Sequence, residues 1–83
     1  MKKEKAIRIL KKKWNVVPEK YTMYNGGYLF LAYPPGMSKE DKERSLSGWY
    51  LVDNITGAAG PVSLAFDFDG FFKAIENLKD IEA

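Results

Sequence analysis

Neither cysteine nor histidine occurs among the 83 residues of this chain. The missing thiols exclude disulfides, thiolate zinc sites and cysteine nucleophiles together, and they fit a reducing compartment. The missing imidazole removes more chemistry: the commonest general base, the usual activator of a nucleophilic serine and the commonest nitrogen ligand of metals. An enzyme would have to work with carboxylates, tyrosines and lysines alone, so the expectation is a protein without catalytic residues, cofactor or metal. Long apolar runs are lacking too. None approaches the roughly 18 to 20 residues that span a bilayer, and Ala6-Ile7-Arg8-Ile9-Leu10 is too short and too interrupted by charge for the core of a signal peptide. The chain therefore reads as a cytoplasmic protein beginning at its first residue.

What is present suits a packed domain. Apolar residues make up 46% and aromatic residues 14%, well above disordered chains, so residues 1–83 are expected to fold as one small domain. A domain of this size buries only about 60% of the surface of its unfolded chain, so a partner can contribute to its stability. The net charge of +2 conceals a division. Residues 1–20 carry eight cations against two anions and the remaining 63 carry five against nine, giving a basic segment of +6 and an acidic remainder of −4. Such a dipole steers charged partners or favours head-to-tail association of copies.

Residues 3–13 are rich in helix formers, and Ala6, Ile7, Leu10 and Trp14 recur at the spacing of one helix face. Asn15 is placed to end this helix, and Lys11, Lys12 and Lys13 fall in the last turn, where the helix dipole favours cations. From Val16 to Tyr24 strand formers dominate, but Pro18 restricts the early part to an edge or a bulge. Asn25-Gly26 is a strong hairpin signal leading into Tyr28 to Tyr33, a run apolar on both faces and hence a central strand. Pro34-Pro35-Gly36 stops it. Residues 37–47 form a charge-balanced connection in which Ser38-Lys39-Glu40-Asp41 resembles a helix start, giving a loop or one helical turn. Gly48 to Asp53 is the third strand, Asn54 to Gly60 the connection, and Pro61 to Phe66 the return strand. Asp67 or Asp69 can cap a last helix whose Phe68, Phe71, Phe72, Ile75 and Leu78 share a face, leaving Lys73, Glu76, Asn77 and Lys79 in water. The fold class is α+β, order α-β-β-β-β-α: one antiparallel four-stranded sheet, both helices on one face, the other face available to a partner.

Two local patterns invite chemistry and have simpler explanations. Asp67-Phe68-Asp69-Gly70 holds two carboxylates but lacks the further oxygen ligands of a calcium loop, and a helix N-terminus accounts for both. Thr56-Gly57-Ala58-Ala59-Gly60 joins two strands and has neither the lysine nor the following helix of a phosphate loop. Aromatic surplus is a stronger clue. Twelve rings exceed what one inner face of so small a sheet needs, so Tyr28, Phe30, Trp49 and Tyr50 are candidate anchors for a protein partner or for a homodimer. The competing reading is nucleic acid bound through Lys5, Arg8, Lys11, Lys12 and Lys13, with Trp14, Tyr21 and Tyr24 nearby as stacking surfaces.

Trp49-Tyr50-Leu51-Val52-Asp53 followed by Thr56-Gly57 resembles the strand, Asp-x-x-Thr-Gly turn and strand of PepSY-like domains and of small bacterial immunity-type domains. The order of elements is compatible, whereas Ala58-Ala59-Gly60 stands where acidic or β-branched residues would resume the strand. The resemblance implies a non-enzymatic domain that acts by docking to another protein. In composition the chain is also similar to the small inhibitors and accessory factors of phages and mobile elements, which implies a bacterial or phage origin.

Overall fold

Asn25 and Gly26 both adopt positive φ, 48° and 76°, the geometry of a two-residue hairpin turn whose twist matches that of its strands. In a computed structural model, which describes residues 2–44, 48–62 and 68–81, this turn joins β1 (Val17–Tyr24) to β2 (Gly27–Tyr33). The remaining elements are α1 (Lys3–Trp14), α2 (Lys39–Arg44), β3 (Trp49–Asp53), β4 (Ala59–Pro61), α3 (Phe68–Ile75) and β5 (Lys79–Asp80). The strands form one antiparallel sheet in the order β4-β3-β2-β1-β5, with β2 at its centre as its two apolar faces require.

The sheet therefore has five strands, not four. β5 is the addition: Lys79 and Asp80 pair with Tyr21 and Lys20, so β1 is not the margin of the sheet along its whole length. Pro18 sits beside a register shift between Pro18 and Lys20, the bulge that a residue without an N–H imposes. The fourth strand begins two residues earlier than Pro61 and pairs Ala59 with Val52 and Pro61 with Tyr50. The rest of the expected return strand, from Ser63 to Phe66, and the Asp67 cap lie outside the described residues. Both margins are short, and a proline in β4 further blunts that edge against pairing with other chains.

α1 ends at Asn15, whose left-handed φ of 51° lets its N–H reach the Lys11 carbonyl at 3.1 Å. Its inward stripe brings Ala6 and Leu10 onto Val16, Phe30, Ala32 and Val52, and none of these six is more than 4% exposed. Burying a leucine such as Leu10 contributes about 1.5–3 kcal/mol. In register, Tyr21, Phe30 and Tyr50 share this face with Met23, Tyr28 and Val52.

The two long helices cover opposite faces. Alternation along β3 turns Trp49 away from Tyr50, and Phe71 of α3 meets Trp49 and Tyr24 edge-on at 5.1 and 5.9 Å. Leu29 and Thr22, adjacent in register on this second face, are buried as well. The expectation of both helices on one face, with the other left for a partner, is thus corrected: α3 packs on the second face, against β1 and Trp49, and Leu29 of β2 is buried there. α2 is a helix of six residues started by Ser38, whose hydroxyl accepts the Asp41 N–H and whose carbonyl accepts the Lys42 N–H. No helix of the described residues is long and apolar enough to cross a membrane.

Candidate binding surfaces

The connection from β3 to β4 is short and heavily bonded. Asp53 accepts the N–H groups of Ile55 and Thr56 on one carboxylate oxygen, each at 2.8 Å, as the side chain of an Asx turn does. Its carbonyl accepts the Gly57 N–H, its own N–H donates to Ala58, and the Thr56 hydroxyl accepts the Ala58 N–H. The Thr56 and Ile55 bonds hold the Asp53 carboxyl below the usual aspartate range, outweighing a small opposing effect of desolvation. Asn54 donates to the Gly26 carbonyl at 3.2 Å, which ties this turn to the β1–β2 turn beside it.

Ile55 projects from this bonded turn with 90% of its surface in water. At the same end of the sheet Met23 is 54% exposed and pairs across the strands with Tyr28, which is half-buried. Beside them an open depression of about 420 Å³ is lined by Met23, Tyr24, Asn25, Gly70, Lys73 and Ala74. The turn end of the sheet therefore offers apolar side chains on a backbone already fixed in shape.

The four aromatic anchors do not assemble into one patch. Phe30 is 0% exposed, inside the cluster beneath α1, and has no surface to offer a partner. Tyr28 stacks on Phe30 with ring centroids 6.1 Å apart, and Tyr50 leans on Trp14 at 6.0 Å. Trp49 occupies the opposite face, against Phe71. The rings that exceed the needs of one inner face find room because the sheet has two covered faces. Lysines cover two more: Lys3 lies 4.7 Å from the Tyr21 ring centre and Lys42 5.4 Å from that of Tyr33.

The five candidate nucleic-acid contacts, by contrast, come together. Lys5, Arg8, Lys11, Lys12 and Lys13 are all exposed on the outward side of α1. The ion pairs of the described residues join Lys20 to Asp80 and Lys42 to Glu19, and none engages these five. Ile9, half-buried, lies with Lys12 and Lys13 around a shallow hollow. Trp14 is 43% exposed at the end of the helix, its indole N–H held by the Ala59 carbonyl at 2.9 Å. Tyr21 and Tyr24, expected as stacking surfaces, are half-buried and engaged by Lys3 and Phe71.

Among the described residues no group of three or more carboxylates could hold a metal ion. Asp69 is exposed in the first turn of α3. Ile55 and Met23 escape a sequence reading that looks for aromatic anchors. The Asp53-x-x-Thr56 spacing was the available signal for Ile55, since an Asx turn fixes which side chain points outward. No protein-family model, curated protein or solved structure matches this chain.

Proposed function

We propose that this chain is a small non-enzymatic binding module that docks to another protein through the turn end of its sheet, with Ile55, Met23 and Tyr28 as the contact residues. The observation that carries the reading is Ile55, 90% exposed on a turn that Asp53 fixes through two 2.8 Å bonds. An isolated exposed side chain is ordinary on protein surfaces, but here Ile55 and the cross-strand pair of Met23 and Tyr28 lie at the same end of the sheet, where two hydrogen-bonded turns adjoin. A fixed backbone has little entropy left to lose on binding, which raises the affinity available from a small contact. The absence of cysteine and histidine supports a function without covalent or acid–base chemistry. The resemblance of residues 49–57 to PepSY-like and immunity-type domains points the same way, toward an accessory or inhibitory protein of bacterial or phage origin acting in the cytoplasm.

A photo-crosslinking side chain placed at position 55 tests this in the source cell, with the same group at Val17 as control, since Val17 is 42% exposed outside the turn end. One discrete adduct from position 55 that disappears in the Met23→Asp variant supports the reading. Adducts at twice the chain's mass identify the partner as a second copy. No discrete adduct, or the same adducts from position 17, refutes the turn end as a docking surface.

A further inference from the structure

The outward side of α1 carries charge that no ion pair of the described residues uses. Other lysines are employed: Lys3 donates to the Ile81 carbonyl at 3.0 Å, and Lys20 and Lys42 pair with Asp80 and Glu19. Among the described residues Lys5, Arg8, Lys11, Lys12 and Lys13 have no anionic partner, and Glu4 is the one carboxylate in the helix. The helix dipole accounts for the cations of the last turn, but it disfavours Lys5 near the N-terminus and gives Arg8 at mid-helix no support. Lys5, Arg8 and Lys11 stand three residues apart, and Arg8 and Lys12 four, so these cations repel one another along the helix. A face that costs stability in isolation and lies fully in solvent is suited to an anionic ligand.

We infer that this face of α1 binds the sugar–phosphate backbone of nucleic acid, without preference for sequence. An acidic protein surface is the less suitable occupant because protein interfaces are depleted in lysine and centred on apolar residues, whereas Ile9 among these cations is half-buried and packs on the core, and Trp14 stands at the end of the stripe, not at its centre. Phosphate contacts need no apolar centre, and α1 is about 18 Å long, enough to follow several phosphates. The division of charge, +6 over residues 1–20 and −4 over the rest, orients the molecule with α1 toward a polyanion and the remainder away from it. Trp14, beside the three consecutive lysines and 43% exposed, offers one stacking surface at the end of the stripe. This surface shares no residue with the turn end and does not depend on the docking reading given above.

The test is fluorescence anisotropy of the full chain with a labelled DNA duplex, a labelled single strand and labelled poly-glutamate across a salt series. Four phosphate contacts on a duplex give a slope of log affinity against log salt of about −3.6, a weakening of roughly 150-fold between about 50 and 200 mM salt. Each Lys→Gln change within the five lowers that slope by about one, and the triple Lys5→Glu, Arg8→Glu, Lys12→Glu chain, its fold checked by circular dichroism, abolishes binding. The tighter of the two nucleic acids names the source of the phosphates. No binding at about 50 mM salt, a slope unchanged in the glutamine variants, or poly-glutamate bound as tightly as nucleic acid overturns the inference. Ile55→Asp leaves nucleic-acid binding intact, so failure at one surface is distinguishable from failure at the other.

Discussion

Replacing Phe30 with alanine separates interior from surface more sharply than any other single change. Its ring is 0% exposed, lies between Tyr21 and Tyr50 in register, stacks on Tyr28 and belongs to the cluster that includes Leu10 and Val52. These neighbours are anchored on three strands and a helix, so they can close only part of the space a missing ring would leave. A cavity of this kind costs about 3–5 kcal/mol. An 83-residue domain has about 4–12 kcal/mol in all, so Phe30→Ala is expected to lower the melting temperature by about 12 °C or more, or to unfold the chain at room temperature. Phe30→Leu keeps most of the volume and is expected to lose only about 1–1.5 kcal/mol. Urea titration followed by the fluorescence of Trp14 and Trp49, repeated by far-ultraviolet circular dichroism, measures both, and an unchanged m value assigns the loss to the native state. A Phe30→Ala chain within about 1 kcal/mol of the parent refutes the placement of this ring in the interior.

The two glycines of the first hairpin are expected to respond differently to alanine. At Gly26, with φ of 76° and open space around it, the cost is about 1 kcal/mol from backbone strain; at Gly27 a Cβ would come 2.5 Å from the Val52 carbonyl, and the neighbouring strand must move at a cost of about 2–3 kcal/mol. Equal urea midpoints for the two variants would contradict the register of β2 and β3. Because Asp53 is held below its ordinary range in the folded turn, its contribution is fully present above the unfolded aspartate value and is lost as pH falls through the folded value. Asp53→Asn is therefore expected to be less stable than the parent at neutral pH, with the difference shrinking in acid; a difference constant over that range refutes the role of the carboxylate.

Local chemistry was legible wherever one residue decides the backbone. Asn25-Gly26 specified its turn and Asn15 its helix end because positive φ suits few residues, and both adopt it. The stripe of Ala6, Ile7 and Leu10 gave α1 its inward face for the same reason that five cations fell outward. Placement across the sheet was not legible. With Tyr28, Phe30 and Ala32 on one side of β2 and Leu29, Leu31 and Tyr33 on the other, alternation carries no polar face to mark solvent, and the covering of the second face by Phe71 is a contact between distant segments. β5 is two charged residues long and owes its existence to pairing with Lys20 and Tyr21, which no local pattern announces. The aromatic anchors failed to converge for a related reason. Period-two alternation says which rings share a face but not which of them another element will cover.

The bond from Lys3 to the Ile81 carbonyl brings together positions 78 residues apart in sequence. Together with the pairing of β5 on β1, it brings the first turn of α1 and Ile81 together over one strand. A short peptide joining Ile81 to Lys2, with a new opening cut at the exposed Pro35-Gly36 turn, yields a circular permutant that retains the described strands in their present order. Labels attached at Lys2 and at Ile81 converge on the same corner of the molecule, beside Tyr21 and away from the Ile55 turn.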